Sequence, residues 1–224
     1  MGAGAGLDLG DGTLDLGCSD LVVAGTLDAA SGLIDRALRV SIEPGGSLEG
    51  SLGTLQLAGD WSNAGSFDAG SGTLAFVDGC GQASATLSGQ SQFATLRANT
   101  TSGKLLIFEA GSTQTVLDLL QLAGEAGNLL EIRSSVDGEE AFLDLQGDQS
   151  TAFLDVKDNH AVGSRIAFGL GSTDSGNTDG WAFGSVPALP LAGLLGLALA
   201  LLGLGARRAG QSRPLRRSCS SIQR

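Results

Sequence analysis

The densest group of side chains able to do chemistry runs from Phe153 to Asn159, FLDVKDN, and is followed at once by the chain's single histidine, His160. Asp155 and Asp158 close a strand-like run, and two carboxylates can divide acid and base roles in glycosidic cleavage. His160 could act as a base if a serine met it across the fold, but no Gly-x-Ser-x-Gly elbow in a fitting context accompanies it. No Lys/Arg cluster or row of aromatic subsites flanks the aspartates either. Turn formation and solvation therefore account for them better, and no catalytic residue is assigned.

The other chemically capable residues are sparse. Asp174, Asn177 and Asp179 lie in a Gly/Ser-rich loop that resembles part of an oxygen-rich calcium loop, yet no EF-hand or nonapeptide calcium repeat is completed. One histidine and no CxxC spacing leave a transition-metal site poorly supplied, so no metal and no cofactor are assigned. Three cysteines, Cys18, Cys80 and Cys219, are compatible with one Cys18–Cys80 disulfide plus a separate thiol in the tail. Two small buried thiols are the alternative. Trp61 and Trp181 are isolated, which fits packing or capping better than a carbohydrate platform. Asn63, Asn99 and Asn128 stand in turn-like contexts, where Asn tolerates left-handed geometry.

The elements carrying these residues are short. With 36 Gly among 224 residues, four Pro and stretches alternating apolar with small polar residues, the body reads as strands separated by turns. Gly-Thr/Ser-Leu recurs at Gly12-Thr13-Leu14, Gly25-Thr26-Leu27, Gly46-Ser47-Leu48, Gly50-Ser51-Leu52, Gly53-Thr54-Leu55 and Gly72-Thr73-Leu74. Ala141-Phe142-Leu143-Asp144 returns eleven residues later as Ala152-Phe153-Leu154-Asp155. Such loose repetition predicts an all-β fold, a parallel β-helix (β-solenoid) over residues 1–183, with coils of about 20 to 25 residues and roughly eight turns. A β-sandwich is the competing architecture, with Asp78-Gly79 and Asp137-Gly138 available as hairpin turns.

Residues 59–77 (GDWSNAGSFDAGSGTLAFV), 108–122 (FEAGSTQTVLDLLQL), 130–135 (LEIRSS) and 153–159 (FLDVKDN) together resemble the repeat arrays of large bacterial surface and secreted proteins. Those arrays are the β-helices of autotransporter and filamentous-adhesin-like chains. The resemblance covers about residues 7 to 183 and implies a parallel β-helix displayed outside the cell. It implies no defined ligand, and an extracellular polysaccharide or a host or surface ligand is the class of partner left open for such a displayed rod.

The C-terminal end carries a second resemblance. No charged residue occurs from Trp181 to Ala206, and the Leu/Ala/Gly run after Pro187 is about long enough, at 1.5 Å per residue, for a helix to cross a bilayer core of ~30 Å. Six arginines and no acids follow, which marks the cytoplasmic side. Val186-Pro187, Leu191 to Ala206 and Arg207-Arg208 resemble the sorting signals of the PEP-CTERM and IPTL-CTERM type in bacterial envelope proteins. That resemblance implies a linker and sorting motif at 184–190, a transmembrane helix at 191–206 and a basic cytoplasmic tail at 207–224. It further implies a membrane and a processing protease of the exosortase type as partners.

Charge divides at the same place. The body carries −17 and the tail +6. An acidic body repels phosphate backbones, so nucleic acid is excluded as a partner. Met1 to Gly10 has no Lys or Arg and no apolar run, so a signal peptide and further repeats are expected to be encoded upstream. These readings give a non-enzymatic, outward-facing envelope protein of structural or adhesin-like kind, anchored in the membrane or released after processing. The alternative is an anchored β-helix carbohydrate-active enzyme of the lyase or glycosidase type.

Overall fold

Alternation of inward apolar and outward polar residues turns most of the chain into strands, and the glycines between them let it turn tightly enough to stack. The computed structural model describes residues 4–183, which form 21 short strands. The named strands pair in parallel, from Gly6–Asp8 beside Thr26–Asp28 to Ile166–Phe168 beside Trp181–Phe183. The described residues form an all-β parallel β-solenoid of about eight coils. A sandwich built on hairpins is thereby corrected. Asp78-Gly79 and Asp137-Gly138 do turn the chain, with positive φ at both glycines, but each leads into a further strand of the parallel stack rather than back along its neighbour.

Each coil has three faces. The first face stacks Gly6–Asp8, Thr26–Asp28, Ser47–Glu49 and Ser66–Asp68. The second carries the register Leu14, Ile34, Leu55, Leu74, Leu96 and Leu120. The third carries Leu21, Val40, Trp61, Leu87 and Phe108. These residues point inward, and most are fully buried, so the core is a column of one apolar layer per coil. At the usual strand spacing of about 4.8 Å, eight coils rise about 40 Å.

Glycine is required where coils meet most closely. A Cβ on Gly32 would lie 2.6 Å from the Gly12 carbonyl oxygen, one on Gly53 2.7 Å from that of Gly32, and one on Gly72 2.8 Å from that of Gly53. This corner ladder explains the glycines of Gly53-Thr54-Leu55 and Gly72-Thr73-Leu74. The unit Gly50-Ser51-Leu52 departs from the pattern: it is a turn, with Ser51 at φ 40° and Leu52 71% exposed. Coil length varies with the corners. Gly6 pairs with Thr26 and Leu27 with Leu48, whereas Thr113 pairs with Phe142 because the segments after Ala123 and Ser134 add loops.

Among the described residues no helix is long and apolar enough to cross a membrane. The linker at 184–190, the helix at 191–206, the tail at 207–224, Cys219 and the sorting residues Val186, Pro187, Arg207 and Arg208 all lie outside the described residues.

Candidate functional site

The last coils carry Asp155, His160 and Asp174 on the strands Leu154–Val156, Asn159–Gly163 and Thr173–Asp174, with Asp158 and Asn177 between strands, and every one of these side chains is engaged. Asp155 accepts from the Arg133 guanidinium at 2.8 Å and from the Ser175 hydroxyl at 2.5 Å. Asp158 is almost fully buried, at φ 52°. Its carboxylate accepts from the Gly138 main-chain N–H and from the Asn177 amide, both at 2.9 Å, and Lys157 Nζ stands 3.6 Å away. The Gly138 N–H first, then the Asn177 amide and the Lys157 charge, hold the Asp158 carboxyl below its ordinary range. A general acid for glycoside cleavage needs the opposite displacement, so the environment of Asp158 does not suit that role.

His160 faces Asn177 through Nε2, 3.0 Å from Oδ1, and Glu140 through Nδ1 at 3.6 Å. Phe142 meets its ring edge-on. Asn177 thus links His160 to Asp158, which ties the closing loop to the coil beneath it. Asp174 accepts from the Gly176 N–H and the Thr178 hydroxyl, as a turn-forming aspartate does. Among the described residues, no group of three or more His, Cys, Asp or Glu is arranged to hold a metal ion.

Both tryptophans are buried. Trp61 donates to the Ser91 hydroxyl at 2.9 Å, and Trp181 packs on Phe168 and donates to Asn159 at 3.3 Å. Asn63 accepts from Gly65 N–H in a turn and reaches Gln90, while Asn128 donates to Thr101. Asn99 is a correction, since it ends the strand Ser91–Asn99 and pairs with Ala123. The left-handed positions outside glycine fall instead on Cys18, Ala30, Arg36, Ser51, Cys80, Phe153, Asp158 and Asn177.

A second polar centre lies on the corner between the second and third faces. Cys18, at an irregularity of the first coil's long strand, is disulfide-bonded to Cys80 in the corner loop of the fourth coil. Two further ties hold that loop. Asp78 accepts from the main-chain N–H groups of Thr101 and Ser102 at 2.9 and 3.3 Å. Lys104 donates to the carbonyls of Ala58 and Gln82 at 2.8 and 2.9 Å. Lys104 is 3% exposed and points into the column. Burial lowers its pKa, and the Asp78 charge offsets part of that effect. Sequence reasoning missed Lys104, although its phase with Leu106 and Phe108 in the strand Lys104–Phe108 marks it as inward.

Compared with known proteins, the chain matches no family model, no curated protein and no solved structure.

Proposed function

We propose that this chain is a non-enzymatic envelope protein, exported and displayed as a stiff, acidic β-solenoid, and sorted or held through the segment from Val186 to Arg208. The carrying observation is the disulfide between Cys18 and Cys80, since such bonds persist in oxidising compartments outside the cytosol. The order of Val186-Pro187, an uncharged apolar run and Arg207-Arg208 after that body supports the same reading. The solenoid supplies mechanical continuity: each coil is hydrogen-bonded to the next and buries a shared apolar layer. Its work is structural or adhesive, and a processing protease of the exosortase type and the membrane are its implied partners.

The test places one epitope tag after Gly184 and another at the C-terminus, then follows both through fractionation and protease treatment of intact cells. An exposed first tag with loss of the second is the expected result of export and cleavage. Both tags protected in the cytosol would overturn the reading. Arg207→Glu with Arg208→Glu should release the protein or invert it, and unchanged retention and topology would count against the sorting assignment.

A further inference from the structure

The first face is interrupted once. The sheet of Gly6–Asp8, Thr26–Asp28, Ser47–Glu49 and Ser66–Asp68 ends at Ser66–Asp68, which pairs with the preceding coil alone. In the next coil, residues 91–93 pair upward with residues 114–116, and pairing with the coil beneath resumes only at Thr95. No main-chain hydrogen bond joins the two edges. Phe67, Phe93 and Trp61 meet there, with ring centroids 4.8 to 5.8 Å apart, where earlier coils place Leu27 and Leu48. Three aromatic rings meet behind the break.

Outside the break runs a groove of about 540 Å³, within the usual size of a ligand site. Its walls carry Asn63, Ser66, Gln90, Gln92, Thr113 and Thr115, and its floor includes the half-buried Phe67. No lining residue is charged, in a body whose net charge is −17. An adjoining hollow extends the groove past Phe67 and Gln92, with Asp68 at its far end. The side chains of Gln92, Thr113 and Thr115 have no hydrogen-bond partner among the described residues, and Gln92 pairs in register with Thr115. Neighbouring amides and hydroxyls therefore offer both donors and acceptors to whatever lies across them.

The lining decides among occupants. Uncharged amides and hydroxyls beside a half-buried aromatic ring match the hydroxyls and C–H faces of a sugar. An anionic polymer is repelled by the body's charge. We propose that this groove binds a neutral glycan. Sugar hydroxyls would satisfy the free amides and exposed strand edges, and a sugar's C–H face would rest on Phe67, whose ring is fixed by Trp61 and Phe93. This deepens the envelope reading by giving the displayed rod a ligand class, but it stands or falls separately.

The purified full chain is titrated calorimetrically with neutral hexasaccharides of β-1,4-, β-1,3- and α-1,4-linked glucose, and with polygalacturonate as the charged control. At least one neutral probe should bind, insensitively to ionic strength. Gln92→Ala combined with Thr115→Val should weaken it at least about tenfold, equal to about 1.4 kcal/mol, with unchanged thermal melting. Gln90→Ala provides a second, milder test should the double variant melt early. Failure of every neutral probe to bind, or equal binding by the groove variants and the parent, would overturn the proposal. Neither result depends on the tag experiment, so loss of the display reading leaves this one intact.

Discussion

Cys80 of the fourth coil sits with its Cα 5.4 Å from that of Cys18 in the first, so one covalent bond reaches past the two coils between them. Solenoid coils ordinarily feel only their neighbours, and such arrays fray from their ends. The bond makes the first four coils one closed loop, and the Asp78 and Lys104 contacts extend the strap to the fifth coil. A loop closed over a sequence separation of 62 residues stabilises the folded state by about 4 kcal/mol in the chain-entropy view. Reduction should therefore lower the urea midpoint and let amides of residues 6–23 exchange before those of residues 113–156. Thiol titration of the unprocessed full chain, before reduction, should count one free cysteine of the three. Free thiols at both Cys18 and Cys80 in protein from an oxidising compartment would remove the strap.

Lys104 makes a second test of the same corner. Its ammonium is buried between two carbonyls, and Lys104→Ala would leave both unpaired beside a cavity. We expect a loss of about 3 kcal/mol at neutral pH in urea melts. The pH dependence has a definite sign. Burial lowers the folded pKa below the ordinary lysine value of about 10.4, so between the two the unfolded chain binds more protons. Stability from this group should rise with pH through that window. Lys104→Met should abolish the rise, and a parent protein with no alkaline gain would contradict the assignment.

The same corner shows what was legible in the sequence. The Gly-Thr-Leu units announce stacked coils because glycine and a small polar residue before an inward leucine recur at each close approach, as at Gly53 over Gly32. Exact coil length was not legible, since it is fixed by loops such as the one between Ala123 and Leu130, which carry no periodic signal. Asn99 reads as a turn residue from its neighbours, yet its pairing with Ala123 is a long-range fact no local window contains. His160 and Asp158 looked like chemistry because they are adjacent to other polar residues in sequence. In space their polar atoms are engaged by Asn177, Gly138 and Glu140.

Asp158 should reveal itself in acid. The Gly138 N–H and the Asn177 amide favour its charged form, so the folded pKa lies below the unfolded value of about 3.9. Its contribution is fully present above the unfolded value and is lost as pH falls through the folded one. Asp158→Ala should cost about 2 kcal/mol at neutral pH, through the two lost bonds and a left-handed φ of 52°. Asp158→Asn should cost less, because Asn adopts that φ more readily, while still flattening the acid limb of a stability profile. An Asn variant with the parent's acid slope would mean that other carboxylates set it.

The glycine ladder gives the sharpest contrast between two identical substitutions. Gly53→Ala drives a methyl to 2.7 Å from the main-chain oxygen of Gly32, and neither that carbonyl nor its coil can retreat without parting two stacked corners. Gly6→Ala meets nothing within 4 Å and needs no left-handed backbone. Overpacking of a fixed main-chain contact costs about 2 kcal/mol, whereas the open site should stay within about 0.5 kcal/mol of the parent. Urea midpoints of the two variants, measured on oxidised protein, separate these outcomes. If Gly53→Ala were as stable as Gly6→Ala, the coils would not be held at this spacing along that corner, and the glycines of the repeats would need another explanation.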